Sequence, residues 1–175
     1  MLQRGGNMIK WHTFPKSAKP METILHVINV FEAEEQRITS ATHNLNSDGV
    51  LGVVRPGLQS LGFTIETGKA RDQKIQIPVL FGLNGKTERT FEADGYHSEH
   101  GIVIEVEAGR AVTNYQFLKD LFQACMMQDT FHLIVAVRQD YRGSDDFSKV
   151  VSFFETLYAS ARLTLPLRSI TIIGY

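Results

Sequence analysis

The segment FHLIVAV, residues 131–137, constrains the fold of this chain more than any other stretch of its sequence. His132 alone interrupts its apolar residues, and there is no alternation of apolar and polar positions. Such a run is typical of a short strand that is buried on both faces. Because a strand of this kind needs packed layers above and below it, the segment predicts an α/β protein with a sheet at its centre.

Helical periodicity predicts four helices in the rest of the chain. Asn46 or Ser47 is expected to cap the second of them, and Pro56 is expected to kink or interrupt it. Thr113 or Asn114 is expected to cap the third. The four helices cover approximately residues 21–38, 48–62, 114–128 and 144–162. The predicted buried face of the third helix consists of Phe117, Leu118, Leu121, Phe122 and Cys125.

Three further segments in the middle of the chain have the composition of strands. KIQIPVLFG and TERTFEADGY flank the dipeptide Asn84-Gly85, which is a strong hairpin signal, and IVIEVEA follows the turn HSEHG. These strands predict a three-stranded antiparallel meander, and SITIIGY predicts a last strand. The chain order is then helix, helix, three strands, helix, strand, helix and strand, which indicates helices packed against a sheet.

The length of 175 residues fits one domain, which we expect to cover residues 20–175 after a flexible leader of residues 1–19. No apolar run reaches the length of a membrane span, and the leader lacks the apolar core of a signal peptide. Cys125 is the only cysteine, so an intramolecular disulfide is excluded and the cytoplasm is the expected compartment. The net charge of −1 disfavours nucleic-acid binding unless the basic residues are segregated on one face.

Asp94, Glu105 and Glu107 stand among residues of the predicted meander that otherwise have the pattern of buried strands, where charge is costly to bury. Strand alternation places Glu105 and Glu107 on one face of the third strand, and Asp94 lies on the antiparallel strand before it. Carboxylates crowded in this way raise one another's pKa or need a counterion. Hard oxygen ligands suit Mg²⁺ or Mn²⁺, so the pattern favours a divalent-metal site.

Asp94 followed by the triplet Glu105-Val106-Glu107, on a core of helix, three strands, helix and strand, resembles the PD-(D/E)XK superfamily of restriction endonuclease-like nucleases. The resemblance extends from about Asp48 to the final strand. It implies a three-layer α/β/α core with a mixed sheet, in the order αβββαβ plus an extra helix and strand. It also implies that Asp94 and Glu105 hold the metal, with help from the carbonyl of Val106.

Two positions depart from the pattern of that superfamily. Ala93 stands where a proline is usual, and Glu107 stands where a lysine usually orients or activates water. Glu107 is expected to take over that role, or Lys119 on the next helix to replace it. A further acid often comes from the helix before the sheet. Asp48 is preferred over Glu35 for that position, because its helix leads directly into the first strand.

The function implied by the resemblance is a metal-dependent nuclease that hydrolyses phosphodiesters of nucleic acid, with DNA favoured over RNA. Cutting both strands would further imply a homodimer with two sites. Two alternatives remain open. One is a degenerate nuclease fold kept for binding or assembly, and the other is a non-enzymatic α/β protein whose acidic hairpin binds a basic partner. A phosphoesterase acting on small nucleotides would use the same metal chemistry.

Other interpretations apply to individual residues. Glu105 and Glu107 could face solvent and pair with neighbours such as Arg110, and Arg110 could equally contact a phosphate. His97 and His100, with Asp94 or Glu99, could form a zinc site, although solvated turn residues are favoured. His132 is expected to be a hydrogen-bonded core residue.

Overall fold

The computed structural model describes residues 8–175. The strands in these residues are β1 (Lys10–Phe14), β2 (Thr64–Ile65), β3 (Ile75–Phe81), β4 (Thr87–Ala93), β5 (Gly95–His97), β6 (Ile102–Glu107), β7 (His132–Val137) and β8 (Ser169–Gly174). The α-helices are α1 (Glu22–Ala33), α2 (Glu35–Ile38), α3 (Ser47–Ser60), α4 (Gln116–Met126) and α5 (Asp146–Ser160).

Six of the strands form one mixed sheet in the order β1-β8-β7-β6-β5-β2. Strands β6, β7 and β8 run parallel, whereas β1, β5 and β2 each pair antiparallel with their neighbours. Strand β7, which contains most of FHLIVAV, lies between β6 and β8, and its residues 133–137 are buried. The predicted central strand with two covered faces is confirmed.

Helices pack on both faces of this sheet. Ile102, Ile104 and Val106 of β6 belong to a core shared with α1 and α3. Val103 of the same strand belongs to a second core, shared with α4 and α5. The alternation predicted for IVIEVEA is therefore correct, and the protein has a mixed α/β fold.

The middle of the chain differs from a simple meander. Strands β3 and β4 form a separate two-stranded sheet, and the chain then passes into the main sheet as β5, which pairs with β6. The turn prediction holds, because Asn84 and Gly85 both adopt positive φ angles, 58° and 73°. The second predicted strand thus divides between two sheets at Asp94.

Three other expectations need correction. The segment expected to be a flexible leader contains β1, which pairs antiparallel with β8, while residues 1–7 lie outside the described range. Helix α3 does not break at Pro56, although the predicted cap at its start is confirmed, because the Asn46 side chain accepts a hydrogen bond from the Gly49 N–H. Helix α4 has Tyr115 at its N-cap, with a φ of 50°, in place of the predicted Thr113 or Asn114.

Candidate metal centre

Asp94 lies at the point where the chain leaves the hairpin and joins the main sheet. The next residue, Gly95, is tightly packed, since a Cβ there would lie 2.5 Å from Ile65 Cδ1 and 2.8 Å from Ile104 Cγ2 and would displace these side chains. This close approach allows β5 to pair with β2 on one side and with β6 on the other. The orientation of the Asp94 carboxylate is fixed by β6, since its Oδ2 accepts a 2.7 Å hydrogen bond from the Val106 backbone N–H.

Strand β6 supplies two more carboxylates on the face that looks toward α4. Gly95 pairs with Ile104, so the antiparallel register places Asp94 next to Glu105. Glu105 is buried and Glu107 is half-buried. The structure therefore brings Asp94, Glu105 and Glu107 together. As predicted, Asp94 lies across from the two glutamates of β6.

Helix α4 adds a fourth carboxylate, which the sequence analysis missed. Asp120 is 4% exposed, and its Oδ1 accepts a 3.2 Å hydrogen bond from Gln116 Nε2. Its Oδ2 is buried without a hydrogen-bond partner in the described part of the chain. We call Asp94, Glu105, Glu107 and Asp120 the acidic cluster.

Crowding and burial make the acidic cluster reluctant to ionise. Burial raises the pKa of Asp94 to about 7, and the neighbouring carboxylates add to the effect. Burial likewise raises the pKa of Glu107 to about 9, with a further contribution from repulsion by Asp120. The pKa values of Glu105 and Asp120 are raised chiefly by burial as well. At neutral pH the metal-free cluster therefore retains protons.

The acidic cluster has no direct cationic partner. Among residues 8–175, no lysine, arginine or histidine nitrogen lies within 4.0 Å of a carboxylate oxygen of the four members. The interpretation in which Arg110 pairs with Glu107 is therefore not what the structure shows. Lys119 is close enough to lower the pKa of Glu107 and Asp120, but its side chain is exposed.

An ion pair between the half-buried Lys74 and the buried Glu66 lies beside the acidic cluster. Lys74 Nζ is 2.9 Å from Glu66 Oε2 and 3.6 Å from Glu92 Oε2. The hydrogen bond to Glu66 is the main cause of the raised pKa of Lys74, and the charge of Asp94 acts in the same direction. Sequence reasoning missed both Lys74 and Glu66. The only sequence signal was their position at strand ends, Lys74 directly before β3 and Glu66 directly after β2.

The Lys74→Met variant should lose about 3 kcal/mol of folding stability, because it leaves the buried Glu66 carboxylate without its charge partner. The matched control is Lys119→Met, which removes an exposed lysine near the same cluster and should change stability by less than about 0.5 kcal/mol. Urea unfolding of both variants measures the difference. Equal midpoints for the two variants would contradict a stabilising role for the Lys74–Glu66 pair.

Asp48 and Lys119, two further residues that the sequence predicts for the site, are exposed at the rim of a cleft. A cleft of about 430 Å³ is lined by the acidic cluster and by Asp48, Lys119 and Val106. Asp48 is exposed and its carboxylate lies 3.0 Å from Lys69 Nζ, so it is a residue of the cleft mouth. Glu35, the less favoured candidate, lies on α2 and is not among the residues that line the cleft.

A second and larger cleft, of about 870 Å³, adjoins the first and shares Asp48, Lys69 and Glu107 with it. Three arginines line it, and we call it the arginine cleft: Arg110, Arg138 and Arg142. Arg138 donates to Asn44 Oδ1 at 2.9 Å and to the Leu45 carbonyl. Among the described residues, none of the three arginines has a carboxylate oxygen within 4.0 Å.

The histidines occupy the far end of β5 and β6. His97 is 5% exposed, so the expectation of a solvated turn residue is wrong for it. In residues 8–175, one ligand atom each from His97, Glu99 and His100 lie within 4.8 Å of one another, a compactness that no three members of the acidic cluster reach. His132 is hydrogen-bonded as predicted, since its Nδ1 lies 2.7 Å from Ser169 Oγ, but it is half-buried and is not part of the core.

Comparisons with known proteins do not assign the chain to a family. The chain matches no protein-family model, no curated protein and no solved structure. Within residues 8–175, no helix has the length and apolar character needed to cross a membrane.

The residues of the acidic cluster fit a divalent cation. Asp120 Oδ2 is a buried acceptor without a donor, and an ion nearby would satisfy it. All the side-chain ligands on offer are hard oxygens, and they are spread more widely than a closed cage. This arrangement matches Mg²⁺, which keeps several waters and binds proteins through one or two carboxylates.

Proposed function

We propose that the protein is a divalent-metal-dependent nuclease with a restriction endonuclease-like fold. The observation that carries the proposal is the convergence of four carboxylates from two strands and a helix around an unpartnered oxygen of Asp120. Burial of several like charges lowers the stability of the fold, and a purely structural role would not offset that loss. Strained electrostatics of this kind are typical of functional sites.

The order of elements supports the same proposal. Helix α3 precedes the hairpin, Asp94 lies between β4 and β5, and the Glu105-Val106-Glu107 triplet ends β6. Helix α4 and the parallel strand β7 follow, as in the core of the PD-(D/E)XK nucleases. Asp94 and Glu105 would hold Mg²⁺ or Mn²⁺, with the Val106 carbonyl as a further ligand. The bound ion would supply Lewis acidity and lower the pKa of a coordinated water.

Glu107 and Asp120 are the groups suited to handle a proton. The Glu107 carboxyl, whose pKa is raised to about 9 by burial and by the nearby charge of Asp120, retains its proton near neutrality. Once deprotonated, Glu107 can position a water molecule or accept its proton. Lys119 remains the alternative for this role. Lys74 adds a fixed positive charge beside Asp94, where a phosphate oxygen would need neutralisation.

The arginine cleft supports a polynucleotide over a small nucleotide as the substrate. It continues from the acidic cluster, and its two exposed arginines, Arg110 and Arg142, have no carboxylate partner in the described residues, so their guanidinium groups can contact phosphates. Exposed basic residues of this cleft can contact a polyanion despite the net charge of −1, although Asp48, Glu107 and Asp140 also line it. We propose DNA as the polymer, and a homodimer if both strands are cut.

Arg110→Ala and Arg142→Ala should each weaken binding to DNA and reduce the slope of log K against log salt concentration by about 1. Arg162→Ala is the matched control, since Arg162 follows the opposite end of α5 and is exposed. Fluorescence anisotropy with a labelled oligonucleotide at several salt concentrations gives the slopes. Slopes that match wild type in both cleft variants would show that the arginine cleft does not hold the phosphate backbone.

The activity itself is tested with plasmid DNA, single-stranded DNA and a small nucleotide diester. We expect nicking of a polymer substrate with Mg²⁺ or Mn²⁺ and none with EDTA. Hydrolysis of the diester alone would favour a small-nucleotide phosphoesterase. Oligonucleotide binding without cleavage would favour a degenerate nuclease fold, and the absence of both would favour an acidic hairpin that binds a basic partner.

A further inference from the structure

The turn between β5 and β6 lies at the opposite end of these strands from the acidic cluster. Strand β5 ends at His97, β6 begins at Ile102, and Glu105 is three residues further along β6. Three residues of strand span roughly 10 Å. Any site in this turn, whose sequence is HSEHG, is therefore distinct from the proposed nuclease centre.

The buried His97 ring is fixed in the tautomer that a metal ligand requires. Its Nε2 lies 2.9 Å from the carbonyl oxygen of Leu61, so Nε2 carries the hydrogen and donates it. The Nδ1 atom consequently carries the lone pair, which faces the turn and accepts a 3.3 Å hydrogen bond from the His100 backbone N–H. Histidines that bind metals almost always donate their other ring N–H to a carbonyl or carboxylate in this way.

Two other side chains lie beside the His97 ring, and the His100 ring would turn from its stacked position to share an ion with His97. The His97 and His100 rings stack with their centroids 4.7 Å apart and an interplanar angle of 15°. A ring nitrogen from each histidine and a carboxylate oxygen of Glu99 lie within 4.8 Å of one another. Because the contact from the His100 N–H to Nδ1 is long, little is lost when an ion replaces it.

We propose that His97, Glu99 and His100 form a binding site for a borderline divalent transition ion, of which Zn²⁺ is the representative. Two neutral imidazoles and one carboxylate match the ligand preference of Zn²⁺ and differ from the all-oxygen set of the acidic cluster. Three protein ligands leave the fourth tetrahedral position to water. The ion would join the turn to the end of α3, because Leu61 is the C-cap residue of that helix.

The site is tested on full-length protein without a histidine tag, by calorimetric titration of Zn²⁺ and by the visible absorption of Co²⁺. We expect one ion per chain with a dissociation constant in the micromolar range or below, and an absorption band typical of tetrahedral Co²⁺. His100→Ala and Glu99→Gln change side chains outside the core and should each weaken binding at least tenfold. His26→Ala, which removes an exposed histidine on α1, is the matched control and should bind as wild type does.

Two results would overturn the proposal: no binding to the wild-type chain, or unchanged affinity in His100→Ala. The Asp94→Asn variant separates this site from the nuclease centre, because it should retain Zn²⁺ at the turn whether or not the acidic cluster binds Mg²⁺. If Asp94→Asn lost Zn²⁺ binding while His100→Ala and Glu99→Gln kept it, the ion would belong to the acidic cluster and the proposal would be refuted.

Discussion

Glu105→Gln is expected to lose DNA cleavage by more than about 100-fold while the protein stays folded. The change keeps the size of the side chain and removes the charge that would hold the metal. Even the partners that merely support metal ligands contribute about 10- to 100-fold, so loss of a ligand should exceed that range. The buried Glu105 carboxyl has a raised pKa, so its neutralisation relieves a cost in the folded state and should not lower stability.

The measurement is the initial rate of plasmid nicking at a fixed Mg²⁺ concentration, with circular dichroism to verify the fold. Glu88→Gln is the matched control, because Glu88 is an exposed glutamate on β4 of the hairpin that leads to Asp94. It should nick at the wild-type rate. A folded Glu105→Gln protein that still nicks at the wild-type rate would remove Glu105 from the mechanism.

The metal-free protein should become less stable, relative to Glu107→Gln, as the pH rises from about 5 to about 9. The folded pKa of Glu107, about 9, lies above its ordinary value of 4.5, so the unfolded chain releases this proton first. The group therefore favours the folded state fully below pH 4.5 and loses that contribution as the pH approaches 9. Glu107→Gln has no such proton to lose. We expect the difference between the two proteins to reach about 2 kcal/mol by pH 8.

Urea unfolding in EDTA at pH 5.5 and pH 8 gives this difference directly. Added Mg²⁺ should reduce it at pH 8, because an ion that binds the native state alone offsets the repulsion within the acidic cluster. Parallel pH profiles for wild type and Glu107→Gln would mean that Glu107 ionises normally in the folded protein. The proposed role of Glu107 as a group that holds and transfers a proton would then be wrong.

The sequence predicted the centre of the fold because its signals there are local. A continuous apolar run specifies β7, and strict alternation specifies the two faces of β6. The hairpin turn follows from the backbone preferences of Asn84 and Gly85. The division of the second predicted strand at Asp94 was not predictable in this way. It depends on the contact of Gly95 with Ile65 and Ile104, which are far apart in the sequence.

The acidic cluster was predicted only in part, for a similar reason. Asp94, Glu105 and Glu107 stood out because they interrupt strand patterns, whereas Asp120 has the place of an ordinary polar residue on a helix. The prediction for α4 buried Phe122, which is 54% exposed, and overlooked Asp120, which is 4% exposed. Helical spacing alone cannot predict this exchange, because an apolar pattern assigns a carboxylate to the solvent face of a helix. Asp120 departs from that pattern by lying in the acidic cluster.

The most direct test of the nuclease proposal is calorimetric titration of Mg²⁺ and Mn²⁺ into wild type and Asp94→Asn. We predict saturable binding of Mn²⁺ and Mg²⁺ to wild type and loss of that binding in Asp94→Asn. Glu88→Gln should bind as wild type does. Absence of Mg²⁺ and Mn²⁺ binding to wild type, or equal binding to Asp94→Asn, would show that the acidic cluster is not a metal centre and would contradict the account.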